Sequence, residues 1–195
     1  MKQSLIGEIE LFSMGGPTGD ADREDTYAAI GRAISCWEEL EINLAGLNSV
    51  FVGKPGDLDA IKEFGQNNAT FSWRLTALRN SAATYFTHHC CQDCEGDFDA
   101  ICKRASDLSN SRNNIAHGVV QEMVWLTDPI KLEKYASPII RHVVATPWYM
   151  SGKLNVVSGS GLGSYEINLL GSRFIALAND VHQFVIKLMA ISQKH

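Results

Sequence analysis

Positive charge is scarce in this chain of 195 residues: 17 Lys and Arg stand against 22 Asp and Glu, a formal net charge of −5 at pH 7. That balance argues against a protein that tracks long nucleic acid through a broad basic surface, although a small, locally basic site is compatible with it. No uninterrupted apolar run reaches the length of a bilayer crossing, so no membrane partner is expected. The N-terminal MKQSLIGEIELFSMGGPTGD carries a single lysine and an apolar stretch broken by acids, which makes a poor signal peptide. The five cysteines are odd in number and irregularly spaced. They fit reduced thiols in a cytoplasmic setting better than a disulfide framework. Also missing are an H-E-x-x-H zinc motif, a phosphate-binding P-loop, a serine in a nucleophile elbow, internal repeats and low-complexity segments.

What is present is ordinary globular material, 45% hydrophobic, 20% charged and 9% aromatic, long enough for one well-buried core. Residues 1–22 read as an N-terminal arm and joint: SLIGEIELF as a short strand or a loosely held arm, then GGPTGD dense in helix breakers. From residue 23 to 195 a single domain is expected. Ile30, Ala33, Trp37, Leu40, Leu44, Leu47 and Phe51 recur at three- and four-residue steps, one face of a long helix closed by GKPGD. LDAIKEF suggests a short helix. A second long helix is predicted from about residue 69 to 89, with Phe71, Leu75, Leu78, Ala82 and Tyr85 inward. HHCCQDCEGD then reads as a connection, and a third helix starts near Asp97, a good N-cap.

Between about 119 and 169 the pattern turns β-branched and aromatic. VVQEMVWL, IIRHVVATPWYM and SYEINL predict a small antiparallel hairpin or three-stranded flap, with SGSGLGS as a loop tip. A last helix from about 170 to 192 carries Phe174, Leu177, Val181, Phe184, Leu188 and Ile191. The fold class expected is mainly α: an antiparallel four-helix bundle-like domain with a small antiparallel β insertion between its last two helices.

One stretch breaks the apolar rhythm. The third helix runs Phe98, Ile101, Ala105, Leu108 and then Arg112, where an apolar residue is due, followed by Ile115 and Val119. An arginine on that stripe needs a counter-charge, a partner subunit or a ligand, because an unpaired buried charge costs several kcal/mol. Asn113 and His117, at i and i+4, share a helix face, and His117 is turned about 140° from Arg112 on an ideal helix. Gly118 fits the place just beyond a helix end. The bland alternative is a histidine near terminal carbonyls and an arginine whose apolar stem lets it reach water.

The heptapeptide RNNIAHG, residues 112–118, resembles the signature of the HEPN superfamily, an arginine with a polar neighbour followed after four to six positions by a histidine. The context, a late helix preceded by a long helix bearing WEELE, is similar as well. The likeness covers roughly residues 24–118 and the last helix. It implies a helical fold and, for many members, metal-independent endoribonuclease activity at a composite dimer site, often in toxins or defence effectors with a cognate antitoxin. Other members are non-catalytic helical modules that dimerise or hold a protein partner. On that likeness Arg112 would clamp phosphate, His117 would be the general acid or base, and Asn113 would orient them. Asn114 would support the site, and the partners implied are RNA and a second copy of the chain. No cofactor and no metal are called for.

The residue chemistry suits such a role. RNA carries its own nucleophile, the 2′-hydroxyl; histidine titrates near working pH; an arginine fork grips phosphate and stays charged. Glu41, at the edge of the first helix's apolar face, is expected to pair with Arg112, the alternative being a solvated helix-face glutamate. HHCCQDC, residues 88–94, contains one C-x-x-C crowded into one stretch and lacks the second ligand pair of a structural zinc site, so a reduced polar loop is expected. A redox role would want a thioredoxin-like strand–helix setting. Trp125, Trp148 and Tyr149 could stack on bases, or cover the apolar face of the hairpin.

Overall fold

In the computed structural model the described residues are 19–65, 70–89, 91–125, 139–145 and 161–192; residues 1–18 of the N-terminal arm and joint, Trp148 and Tyr149 lie outside them. These residues are mainly helical, with one two-stranded antiparallel sheet. In chain order the elements are α1 (Arg23–Phe51), α2 (Leu58–Gly65), α3 (Phe71–His89), α4 (Gln92–Ala116), β1 (Val119–Trp125), β2 (Ile139–Ala145) and α5 (Ser164–Ser192). The described residues group into two compact units, one within 1–31 and 114–168, the other within 32–113 and 169–195, with the divisions falling inside α1, α4 and α5.

The larger unit is helical. Along α1 the three-four stripe is buried as its spacing requires: Ala33, Trp37, Leu40, Leu44, Leu47 and Phe51 are all 5% exposed or less. Trp37 meets Phe71 and Phe174 edge-on, with ring centroids 4.8 and 5.2 Å away. Phe51 meets Phe86 and Phe98 edge-on and Tyr85 at a tilt. Such aromatic contacts add roughly 0.5–1.5 kcal/mol each beyond area burial. α1 stops at Gly53, whose φ of 72° is cheap only without a Cβ. The N–H of Gly53 reaches the Val50 carbonyl and that of Lys54 reaches Ser49, so the helix's last carbonyls are satisfied by a Schellman turn.

Two boundaries differ from the sequence reading. α4 begins at Gln92, not near Asp97, so QDCEG is helix and not connection. α5 begins at Ser164, so SYEINL is helical where a strand was expected. In both cases polar residues that weaken the apolar signal occupy a genuine first turn, where acids are stabilised by the helix N-terminus: Asp93 and Glu95 in α4, Glu166 in α5. α5 also passes the length and composition test for a membrane-crossing helix, with a window of mean hydropathy 1.4, of which 33% is buried. Its charges, Arg173, Asp180 and Lys187, interrupt every long apolar run, and a count of uninterrupted residues misses its average.

The smaller unit holds the sheet. β1 and β2 pair from Val119↔Ala145 to Trp125↔Ile139. The other edge of β2 carries single bridges, Asp20↔His142 and Val144↔Leu162. Among the described residues the insertion is therefore one antiparallel strand pair with two isolated edge contacts. Asp20 ties the unit together: its carboxylate accepts the Thr26 hydroxyl at 2.6 Å, and the Ser164 backbone N–H and hydroxyl at 2.8 and 2.6 Å. It thus satisfies an orphan donor at the start of α5, as an N-cap side chain would.

Candidate functional site

The region around Arg112 is assembled from three helices of the larger unit. Trp37, Glu38 and Glu41 come from α1, Arg74 from α3, and Arg112 and Asn113 from the last turns of α4. Trp37 and Glu41 are four apart, so they share a helix face. The indole N–H donates to the Glu41 carboxylate at 2.6 Å. The same carboxylate binds the guanidinium of Arg74. Both charged side chains are largely buried, 17% exposed for Arg74 and 16% for Glu41. The ion pair expected between Glu41 and Arg112 is therefore not the one formed. Glu41 is taken by Arg74, whose position on α3 carried no such signal in the sequence.

Arg112 is held differently. Its guanidinium carbon lies 5.8 Å from the centroid of the Trp37 ring, a cation–π contact. One terminal nitrogen donates to the Asn113 side-chain oxygen at 3.1 Å. The other is 3.9 Å from Glu38, a glutamate 56% exposed. Nε is buried without a hydrogen-bond partner among the described residues. The arginine is 27% exposed, so its stem packs while part of its fork faces water. Among the described residues one of its five N–H donors makes a hydrogen bond, and the terminal nitrogens keep capacity for an anion.

Asn113 and Asn114 are exposed on the same closing turn. In the smaller unit, His117 follows the last helical residue and is exposed. Gly118 lies beyond the helix end as its place in the sequence suggested, but not for a left-handed conformation, since its φ is not positive. A Cβ there would stand 2.2 Å from a Val144 methyl and 2.6 Å from the Asn114 carbonyl oxygen. Only glycine allows β2 to approach the end of α4 this closely.

No family model, curated protein or solved structure matches this chain. The larger unit's part is thus described by its own chemistry alone: a half-buried arginine stacked on a tryptophan, with an asparagine bonded to it.

Elsewhere in the larger unit, a cleft of about 510 Å³ is lined by Phe51, Pro55, Tyr85, His88, His89 and Met189, among others, and includes none of the motif residues. His89 stacks on Tyr85 at 4.1 Å, and the Tyr85 hydroxyl lies 2.7 Å from that of Ser192. The HHCCQDC stretch is not the reduced polar loop expected. α3 runs through His89, α4 starts at Gln92, and Cys91 is joined to Cys94 by a disulfide. Among the described residues no group of three or more His, Cys, Asp or Glu is placed to hold a metal ion. Cys102 is buried, and burial pushes its thiol up despite the opposing pull of Arg79.

Proposed function

We propose that the chain is a metal-independent endoribonuclease of the HEPN type, with the bundle-like helical architecture that family implies. Arg112 supports this reading most directly: a guanidinium fixed by the Trp37 ring and Asn113, yet with donors left over, is what a phosphate clamp requires. His117 is exposed and free to meet a strand from solvent. In the proposed reaction a histidine takes the 2′-hydroxyl proton, the oxygen attacks the adjacent phosphorus, and the 5′-oxygen leaves after protonation. Arginine steadies the charge on the non-bridging oxygens. Products would end in a cyclic phosphate and a 5′-hydroxyl. One histidine does not readily perform both proton transfers, and a two-fold homodimer would bring two copies to one strand. Asn114 would support the same turn. A toxin or defence effector acting in the cytoplasm, held in check by a cognate antitoxin, is the setting this chemistry fits.

A second reading, a non-catalytic helical module for dimerisation or for a protein partner, is favoured by apolar residues left in water. Ile42, Leu58 and Trp73 are 67%, 68% and 73% exposed in the helical unit. Incubation of the purified protein with cellular RNA in excess chelator separates the two. Discrete cuts with cyclic-phosphate ends, lost in both His117→Ala and Arg112→Ala while the helical signal is kept, are expected. Absence of cleavage by the unaltered protein, with partner binding intact in His117→Ala, would replace the nuclease by the interaction module.

A further inference from the structure

The junction of α3 and α4 carries two sulfurs for which RNA cleavage has no use. Cys91 immediately precedes α4, and its carbonyl accepts the Cys94 N–H at 3.1 Å, so it sits at the helix's N-cap. It is half-buried, whereas Cys94, one turn in, is fully buried. Their Cα atoms are 5.5 Å apart, inside the span a disulfide bridges, and the two are bonded. The remaining described cysteines lack this arrangement: Cys102 is buried with a raised thiol, and Cys36 is half-buried on α1.

We propose that Cys91 and Cys94 form a reversible dithiol–disulfide couple that exchanges with small cellular monothiols, a site separate from the RNA-cleaving one. An incoming thiolate attacks Sγ of Cys91, the sulfur on the residue that solvent reaches. The new bond is a mixed disulfide at Cys91; the Cys91–Cys94 bond breaks, and Cys94 leaves with the electron pair and takes a proton. A second thiolate attacks the outer sulfur of the mixed disulfide, releasing Cys91 as a thiolate that is then protonated. The protein gains two electrons and two protons, and two external thiols become one external disulfide. The first turn of α4 favours negative charge on Cys91 as it leaves. Asp93 and Glu95 oppose it from the same turn, but both are exposed and screened by solvent. Burial keeps Cys94 from any attacker except its neighbour. A zinc ligand pair would leave both thiolates facing one ion, and a structural staple would not need Cys91 to be left only half-buried.

The test uses the full chain carrying Cys90→Ala, so that a single pairing is read. The protein is equilibrated at graded ratios of glutathione to glutathione disulfide, quenched in acid, alkylated and mapped by peptide mass. The segment with Cys91 and Cys94 should gain two alkyl groups as the thiol ratio rises, with the helical signal unchanged. Adding Cys94→Ser should trap one glutathione on Cys91, and adding Cys91→Ser should abolish the adduct. A pair that stays closed at every ratio until the chain unfolds would make the bond a structural staple and overturn the proposal. So would a pair that stays open under fully oxidising conditions, or equal adducts on the two serine variants. The titration of the Cys90→Ala chain stands alone should either serine variant fail to fold, and RNA cleavage is not part of the readout.

Discussion

Two arginines meet the surroundings of Trp37 in opposite ways. Arg74 pairs with Glu41, whose carboxylate also accepts the indole N–H, and both charges are more than four-fifths buried. Arg112 lies over the face of the same indole, touches an exposed glutamate at 3.9 Å, and spends one hydrogen bond on its own neighbour. The first arginine is consumed by the fold; the second is positioned by it. A charge that closes a buried network holds helices together but offers nothing to a ligand, because each of its partners would be orphaned on leaving. A charge resting on an aromatic face is oriented without being neutralised, and that is the condition for binding an anion from solvent.

The comparison is broken most severely at its shared element. Trp37 is fully buried among Phe71 and Phe174, so Trp37→Ala should cost about 3–5 kcal/mol and lower Tm by on the order of 10 °C, read by thermal unfolding. If the proposed nuclease reading holds, it should also remove cleavage at temperatures where the chain is still folded, since Arg112 loses its platform. A smaller loss would mean that neighbouring side chains refill the space and that the platform is replaceable. Next in size is the Glu41–Arg74 pair. Glu41→Ala leaves a largely buried guanidinium and an indole N–H without that acceptor, and should cost about 2–4 kcal/mol. A double-mutant cycle with Arg74→Ala should give a coupling of roughly 1–3 kcal/mol. A coupling near zero would show that the burial, and not the pair, carries the stability.

The long helices were legible because period and burial agree: the stripe from Ala33 to Phe51 in α1, and Phe174 to Leu188 in α5, is buried where the spacing says. The misread portions are those where polar residues do structural work that periodicity does not register. QDCEG and SYEINL look like loop and strand because a helix's first turn needs caps and acids more than apolar residues. Arg112 stood out in the sequence because it interrupts a stripe. Its true neighbours did not: the place of Glu41 beside the apolar face marks it for a buried partner, but only the partner helix decides that this is Arg74 and that Arg112 meets Glu38. Gly118 was read as a helix end, whereas the reason for glycine is the Val144 methyl, contributed from a strand far along the chain.

The smallest effect is the sharpest discriminator. Glu38 is 56% exposed and 3.9 Å from Arg112, a geometry in which ion pairs contribute about 0–1 kcal/mol. Glu38→Ala should therefore leave Tm within about 2 °C, and its coupling to Arg112→Ala should stay below roughly 0.5 kcal/mol. Yet it removes the one carboxylate among the described residues that competes for the fork, so on the proposed function binding of a short RNA carrying an unreactive 2′-deoxy linkage should tighten, by an amount that shrinks as salt rises. Arg112→Ala should move the other way in the same titration. If Glu38→Ala instead destabilised the chain as Glu41→Ala does and left RNA binding unchanged, Arg112 would be a second structural arginine. The difference between the two would then be one of exposure alone.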